Sequence, residues 1–496
     1  MLGTYFTFPE LLLWFPLVAG IICFFLKQGG SAKNVALVVS IATLAVSVAS
    51  LFYTDASFKS YNQVSYAWLS QIGNSFYVGL DATGRLLTFL TAISFPIIFI
   101  ATYRNNYKNP GAFYGLMLLT QAGLMGVFTA MDALLFYFFW ELALIPVYFL
   151  CSIWGGQKRI QTTFKFFVYT FLGSLLMLAG IIYVYLLTPG RNFSDGLHTT
   201  HSFALQAFYS VKFSLAEESG LFWLFFAAFA VKMPMFPLHT WQPDTYDQSP
   251  APVTMVLSGV MVKMGLFGVI RWLIPLFPYA SQKFAPMIII LSLTGIIYAS
   301  CIAMVQDNLK KLVAYSSIAH IGLMCAALFA GNDLSAQGVM LQMFNHGINI
   351  IGLWIVLEML ERKTGVKTLS QLGGVANKAP VLTILFVIIA LANIALPLTN
   401  SFAGELLMFS GLYKMNPWYA FIAGISIILA AVYTLNMIQK VFYGNTNSVT
   451  ETIKDISGNE KFALAIIVIM IFILGVYPQP VIELTKSAIQ SLLVVK

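Results

Sequence analysis

Charge is scarce in this chain. Asp, Glu, Lys and Arg make up 9% of 496 residues, against about 25% in soluble domains. Apolar residues reach 59% and the mean hydropathy is +0.82. That balance excludes a water-soluble enzyme and describes an all-α polytopic membrane protein, one whose solvent is lipid. Cysteine is scarcer still. Cys23, Cys151, Cys301 and Cys325 lie in or beside apolar stretches without C-x-x-C spacing, which argues against iron–sulfur ligation or a disulfide framework. No Gly-rich nucleotide loop follows a strand pattern. The formal charge of +8 would suggest nucleic acid in a soluble protein. Here the basic residues sit mainly in short loops, where they set topology, so no nucleic-acid partner is expected.

What the chain has instead is apolar sequence in lengths of about 20 residues, the thickness of a bilayer core. These segments predict about fourteen transmembrane helices, at 9–26, 34–53, 81–103, 112–130, 132–154, 161–187, 219–246, 250–273, 284–305, 310–330, 335–360, 379–412, 417–443 and 461–482. The opening MLGTYFTFPELLLWF lacks a basic n-region and a small-residue cleavage site, so the first helix is expected to be retained. Of the 27 Lys and Arg, sixteen fall in one set of alternate connections and eight in the other, with Arg85, Lys232 and Lys263 inside helices. The positive-inside rule then puts both termini on the outer side.

Residues 223–265 organise the rest. An apolar run is broken by Lys232, Pro234 and Pro237, and a second run carries Lys263 in its middle. A charge at that depth costs about 2.5–3.5 kcal/mol even on the lenient insertion scale, and normally marks a transport or proton pathway. Each proline removes a donor and clashes with the preceding turn, and a broken helix persists at membrane depth only beside a cavity or protein partner. The segment ANIALPLTNSFAGELLMFSGLY is interrupted likewise, at Pro397, Asn400 and Gly404, with Glu405 beyond the break. Lys232 precedes Glu405 by nearly the same interval as Glu141 precedes His320. Both intervals fit a five-helix unit used twice, helices 4–8 and 9–13, with helices 7 and 12 discontinuous. Five is odd, so the copies enter the membrane from opposite sides, as inverted repeats do. One membrane domain over 1–496 is expected, comprising a three-helix segment 1–110, a first repeat 111–274, a second repeat 283–443, and a polar loop and C-terminal helix 444–496.

Other ionisable groups extend the series. Glu141 sits inside its helix, where a lone carboxylate is driven neutral unless a cation stands close, and Lys232 is the partner expected for it. His320 follows Ser316 and Ser317 by one turn. His346 shares a polar stripe with Gln342, Asn345 and Asn349, which could hold water and relay protons. Asp81 and Arg85 have i,i+4 spacing, expected to give an interfacial pair. Glu10 and Glu358 are expected to be solvated near helix ends. Asp244 and Asp247 are expected to cap or line the mouth of the first break. His198 and His201 have loop spacing compatible with a metal, without supporting ligands. Two neighbouring histidines also admit a bis-histidine haem, and hence a membrane haem oxidoreductase.

The stretches FYFFWELALIPVYFL, AFAVKMPMFPLHTWQPD, SPAPVTMVLSGVMVKMGLFGVIRW, QDNLKKLVAYSSIAHIG and NHGINIIGLWIVLEMLERKTG, in this order, resemble the antiporter-like membrane subunits of respiratory complex I over about residues 80–440. The resemblance implies proton translocation through Glu141, Lys232, Lys263, His320, His346 and Glu405, driven by quinone reduction elsewhere. It implies no cofactor in this chain. FMN, iron–sulfur clusters and quinone would belong to partner subunits, and membrane lipid, protons and internal water complete the partners. A bacterial inner membrane is the implied location. Glutamate at 405 resembles the subunit M branch, and also one subunit type of multisubunit cation/proton antiporters, the alternative reading. Tyr246 departs from the family, which often has histidine there.

Overall fold

The computed structural model describes residues 6–26, 29–53, 59–192 and 198–494. Lys27, Lys496 and the loop stretches 54–58 and 193–197 of the topology count lie outside them. Almost everything described is helix. Leaving aside the short turns Lys59–Asn62 and Leu205–Ser210, the helices in chain order are α1 (Phe8–Cys23), α2 (Gly29–Phe52), α3 (Ala82–Ala101), α4 (Pro110–Thr129), α5 (Ala133–Trp154), α6 (Arg159–Leu187), α7 (Leu215–Lys232) and α8 (Gln242–Gln248). They continue with α9 (Ala251–Leu276), α10 (Pro278–Val305), α11 (Leu309–Phe329), α12 (Asp333–Thr364), α13 (Pro380–Asn393), α14 (Asn400–Met415), α15 (Pro417–Phe442), α16 (Gly458–Val476) and α17 (Gln479–Val494). Eleven of the described helices are long and apolar enough to cross a membrane, so the protein is multi-pass. The other expected spans correspond to α1, to α7, and to the divided pair α13 and α14.

Local chemistry sets these boundaries. Asp132 caps α5, accepting from Leu134 N at 3.1 Å and Leu135 N at 3.2 Å. It also takes Asn74 Nδ2 at 2.6 Å and Ser75 N at 3.2 Å, which ties a hairpin of β1 (Gln63–Ala67) and β2 (Ser75–Gly79) to the helix end. Asn308 caps α11 in the same way, and Gly365 with φ 73° closes α12. The segment 445–457 contains turns rather than an amphipathic helix, held by Asn447 and Thr450 against 371–373. Helix α17, which extends past the last expected span at 461–482, packs on α3 and α12.

Helices α6, α15 and α16 are mostly exposed, while α9, α11 and α12 are almost wholly buried and form the centre. α9 is not regular. Leu257–Met261 and Val269–Leu273 are π turns flanking Lys263, a distortion that frequently sits at functional positions.

Both expected breaks are present, and each disposes of its freed backbone groups differently. After α7, Pro234 cannot donate. Met235 N reaches back to Ala230 O at 2.9 Å, and the Trp241 indole donates to Val231 O at 3.0 Å. Between α13 and α14 the chain turns through positive φ at Ala395 (56°) and Leu398 (72°). α16 passes so close that a Cβ on Gly475 would stand 2.1 Å from Leu398 O.

The crossing of α9 and α12 also depends on glycine. A Cβ on Gly347 would meet Gly259 O and Leu90 Cδ1, each at 2.8 Å. Gly347→Ala should therefore cost about 1–3 kcal/mol through overpacking. The check is thermal unfolding of the detergent-purified protein, where Gly347→Ala lowers the melting temperature and the exposed Leu172→Val leaves it unchanged.

Candidate functional site

Four of the six residues singled out by sequence form one buried chain. Lys263 Nζ donates to Ser258 O at 2.9 Å, a carbonyl of the first π turn, and lies 2.8 Å from His346 Nδ1 on α12. His346 Nε2 lies 3.3 Å from Ser317 Oγ. The rings of His346 and His320 are 5.5 Å apart between centroids. His320 Nδ1 lies 3.2 Å from Glu405 Oε1 on α14, and Gln342 Nε2 donates to the same oxygen at 3.3 Å. Four helices from distant parts of the sequence, α9, α11, α12 and α14, thus place ammonium, two imidazoles and carboxylate in succession. Most links are direct hydrogen bonds, where water-bridged ones were expected. Beside Glu405 and His320 is a cavity of about 10 Å³, lined also by Tyr433 and Ser300, room for roughly one water.

Glu141 and Lys232 form a second centre. Lys232 is buried at the end of α7 with its Nζ 5.4 Å from the centroid of the Trp140 ring, a cation–π geometry. Neither Nζ nor Glu141 Oε1 has a hydrogen-bond partner. The two charges act on each other, yet no ion pair within 4.0 Å joins them among the described residues. The expected pairing is therefore a coupling across a gap. Unpartnered polar atoms at this depth favour water between them.

The polar stripe on α12 does a different job from the one expected. Only Gln342 reaches the carboxylate. Asn345 Nδ2 donates to Asn400 O at 2.7 Å, and Asn349 Nδ2 donates to Asn400 Oδ1 and Ser401 Oγ, both at 3.0 Å. The stripe grips the start of α14 through one backbone carbonyl and two side chains. Sequence reasoning missed Asn393, Ser401 and Tyr433. Asn393 Nδ2 lies 3.4 Å from His320 Nε2, and Tyr433 Oη donates to Ser316 Oγ at 2.9 Å. A lone tyrosine or asparagine on an apolar helix carries no spacing signal; their role comes from α13 and α15 folding over α11.

Several expectations need correction. Asp81 caps α3 through Gly84 N and pairs with Arg271, while Arg85 donates to Ser50 O and Tyr53 O, because tertiary partners displace the i,i+4 neighbour. Glu10 is buried, accepting from Thr7 N at 2.8 Å and Tyr66 Oη at 2.9 Å. Glu358 is buried against Asn105 (2.9 Å) and Arg362 (3.1 Å). Protein groups rather than headgroups solvate both. His201 Nδ1 faces Thr188 O at 3.1 Å; the His198 side chain lies outside the described residues. Among those residues, no group of three or more His, Cys, Asp or Glu is arranged to hold a metal ion. Every ring nitrogen of His320 and His346 faces a protein group, so a bis-histidine haem does not fit.

Asp244 and Asp247 line a cavity of about 1090 Å³ where connections assigned to the basic side converge. Asp244 meets Lys165 at 3.2 Å and Lys311 at 3.0 Å, and Asp247 meets Lys367 at 2.7 Å. Burial alone would raise both carboxyls; the lysine hydrogen bonds outweigh it and hold them below the ordinary aspartate value.

Residues 130–430 match the family model described as NADH:quinone oxidoreductase/Mrp antiporter, TM. The chain is 35% identical to NADH-quinone oxidoreductase subunit M of Rickettsia prowazekii, covering 97% of this chain and 98% of that one. It is 31% identical to subunit M of Escherichia coli K12, over 97% and 96%. Among solved structures, a chain of respiratory complex I from Thermus thermophilus superposes with TM-score 0.87 at 27% identity, covering 98% of this chain and all of that one. A chain of the Mrp complex of Dietzia sp. DQ12-45-1b superposes with TM-score 0.83 over 98% and 97%; at 17% identity that likeness shows the fold alone.

The depressed carboxyls fix a pH dependence. Their stabilisation is complete above the ordinary aspartate value, about 3.9, and is lost as pH falls through the lower folded-state value. Asp244→Asn should lower the melting temperature at pH 7 and pH 5 alike, and the difference from the parent should shrink in strong acid. A difference that already vanishes at pH 5 would contradict the assignment.

Proposed function

The chain belongs to the NADH:quinone oxidoreductase/Mrp antiporter membrane family, and from that premise we propose that it is the subunit M-type proton-pumping module of an NADH:quinone oxidoreductase. The observation that carries the reading is the buried succession Lys263, His346, His320, Glu405, each within reach of the next on separate helices. Such a row has one evident use at membrane depth, which is to pass protons. Glu141 and Lys232 supply the coupled pair. Separated by a gap, each biases the charge of the other, so a proton gained or lost at one changes the affinity at the other. Glu405, at the one-water cavity, is the terminal group on the outer side.

In this reading residues 111–274 and 283–443 are inverted repeats, and the broken helices α7 and α13–α14 are their corresponding parts. Both termini face the periplasm of a bacterial inner membrane. The redox work is done by partner subunits holding FMN, iron–sulfur clusters and quinone, and this chain contributes no redox centre. An assembly that copurifies with flavin and iron–sulfur subunits fits this reading; one without them fits the cation/proton antiporter alternative.

Glu141→Gln and Lys232→Met should each greatly reduce proton pumping while the complex still assembles. Lys263→Ala and Glu405→Ala should do the same, measured as quinone-driven acidification of reconstituted vesicles at matched electron-transfer rates. Parental pumping in Glu141→Gln or Lys232→Met, or in both Lys263→Ala and Glu405→Ala, would sink the corresponding assignment.

A further inference from the structure

The two ring nitrogens of His320 face groups of opposite character. Nδ1 lies 3.2 Å from Glu405 Oε1 on α14, whereas Nε2 lies 3.4 Å from Asn393 Nδ2, on the last residue of α13 before the second break. A carboxylate accepts, and the nitrogen of a side-chain amide only donates. With both contacts satisfied, the ring carries its hydrogen on Nδ1, directed at Glu405, and Nε2 is an acceptor.

The amide is itself held. Asn393 Nδ2 also donates to Ser316 Oγ at 3.3 Å, and Tyr433 Oη donates to the same oxygen at 2.9 Å. Both amide hydrogens are thus used, one on the ring and one on the serine, and Asn393, Ser316 and Tyr433 are all buried. A second cavity of about 10 Å³ is lined by these three residues and Thr434, again with room for roughly one water. Tyr433 lines both this cavity and the one beside Glu405. Turned by half a revolution, the amide presents Oδ1 to Nε2 and to Ser316. The serine hydrogen then bonds it, and a water in the second cavity can give or take a hydrogen bond as either orientation requires. One side chain therefore has two orientations in which its polar atoms are matched.

We propose that Asn393 is a positioning residue that gates the hop from His346 to His320 by the direction of its amide. This rests on the proton-pumping reading above. With the nitrogen towards the ring, Nε2 is covered by a donor and has no place for the proton that arrives from His346 by way of Ser317. In the turned orientation Oδ1 accepts from a protonated Nε2. The ring gains a proton at Nε2, passes the hydrogen of Nδ1 to Glu405 Oε1, and ends neutral beside a protonated carboxylyl group.

Nitrogen NMR of the full chain in lipid vesicles, with isotope-labelled histidine, reads which ring nitrogen holds the hydrogen, a quantity that a merely structural asparagine leaves unmoved. His320→Gln identifies the signals of His320. In the parent at pH 7 they should show a protonated Nδ1 and a bare Nε2. Asn393→Asp has nearly the same shape and, ionised, only accepts, so it should bring a hydrogen onto Nε2. Should that variant fail to fold, Ser316→Ala, which releases the amide, should show both forms of Nε2. A hydrogen on Nε2 in the parent, or an Nε2 unchanged in the folded variant, overturns the gate. In the assembled complex, Asn393→Asp and Asn393→Leu should both lose quinone-driven acidification at matched electron-transfer rates. If Lys263→Ala and Glu405→Ala stop pumping while either Asn393 variant pumps like the parent, only the gate is wrong; if Lys263→Ala and Glu405→Ala also pump like the parent, the pumping row itself is wrong.

Discussion

An ammonium group inside an apolar bundle has to be answered by an acceptor, and much of the centre of this protein is arranged around the contact of Lys263 with His346. The π turn before Lys263 supplies one acceptor, the Ser258 carbonyl, and α12 supplies the other. That second bond fixes how α9 and α12 cross, and the crossing is close enough only because Gly259 and Gly347 face each other. Once α12 is placed, its other polar side chains have fixed destinations, Glu405 for Gln342 and Asn400 for Asn345 and Asn349. The helix that holds the central lysine's partner thus also holds the second break.

The two breaks consequently differ in independence. At the first, the freed backbone groups are closed by Met235 and Trp241 of its own segment, while Tyr298 and Cys325 of the other half pack against it. The second borrows amides from α12 and close passage from α16. A disturbance at His346 therefore has a short mechanical route to the start of α14 and the carboxylate beyond it. Within the first centre, Glu141 and Lys232 act on each other by charge across a gap rather than by such a chain of bonds.

Much of this was legible in the sequence because membrane depth makes polar residues conspicuous. Lys232, Lys263, Glu141, Glu405 and both histidines stand out against apolar neighbours, and prolines 234, 237 and 397 announce the interruptions. What could not be read was partnership across helices. Spacing shows that Asp81 neighbours Arg85 but not that Arg271 arrives from α9 to take its place. The stripe on α12 was visible as polar, yet nothing local said that two of its amides hold the start of α14, Asn345 through a backbone carbonyl and Asn349 through side chains. Tyr246 showed only as a departure from a family pattern; its complete burial between Trp241 and Trp354 is a tertiary fact.

The two nitrogens of His346 face different partners, Lys263 on one side and Ser317 with His320 beyond it on the other. While Lys263 is charged, Nδ1 has to accept, so the ring hydrogen sits on Nε2 and points towards Ser317. On the proposed pumping reading, a proton handed over by the lysine would arrive at Nδ1, and the ring would become neutral again when the hydrogen on Nε2 left from the far edge. The ring would then hold the opposite tautomer, with Nδ1 donating towards a recharged Lys263, and would accept a second proton only after returning to the first tautomer.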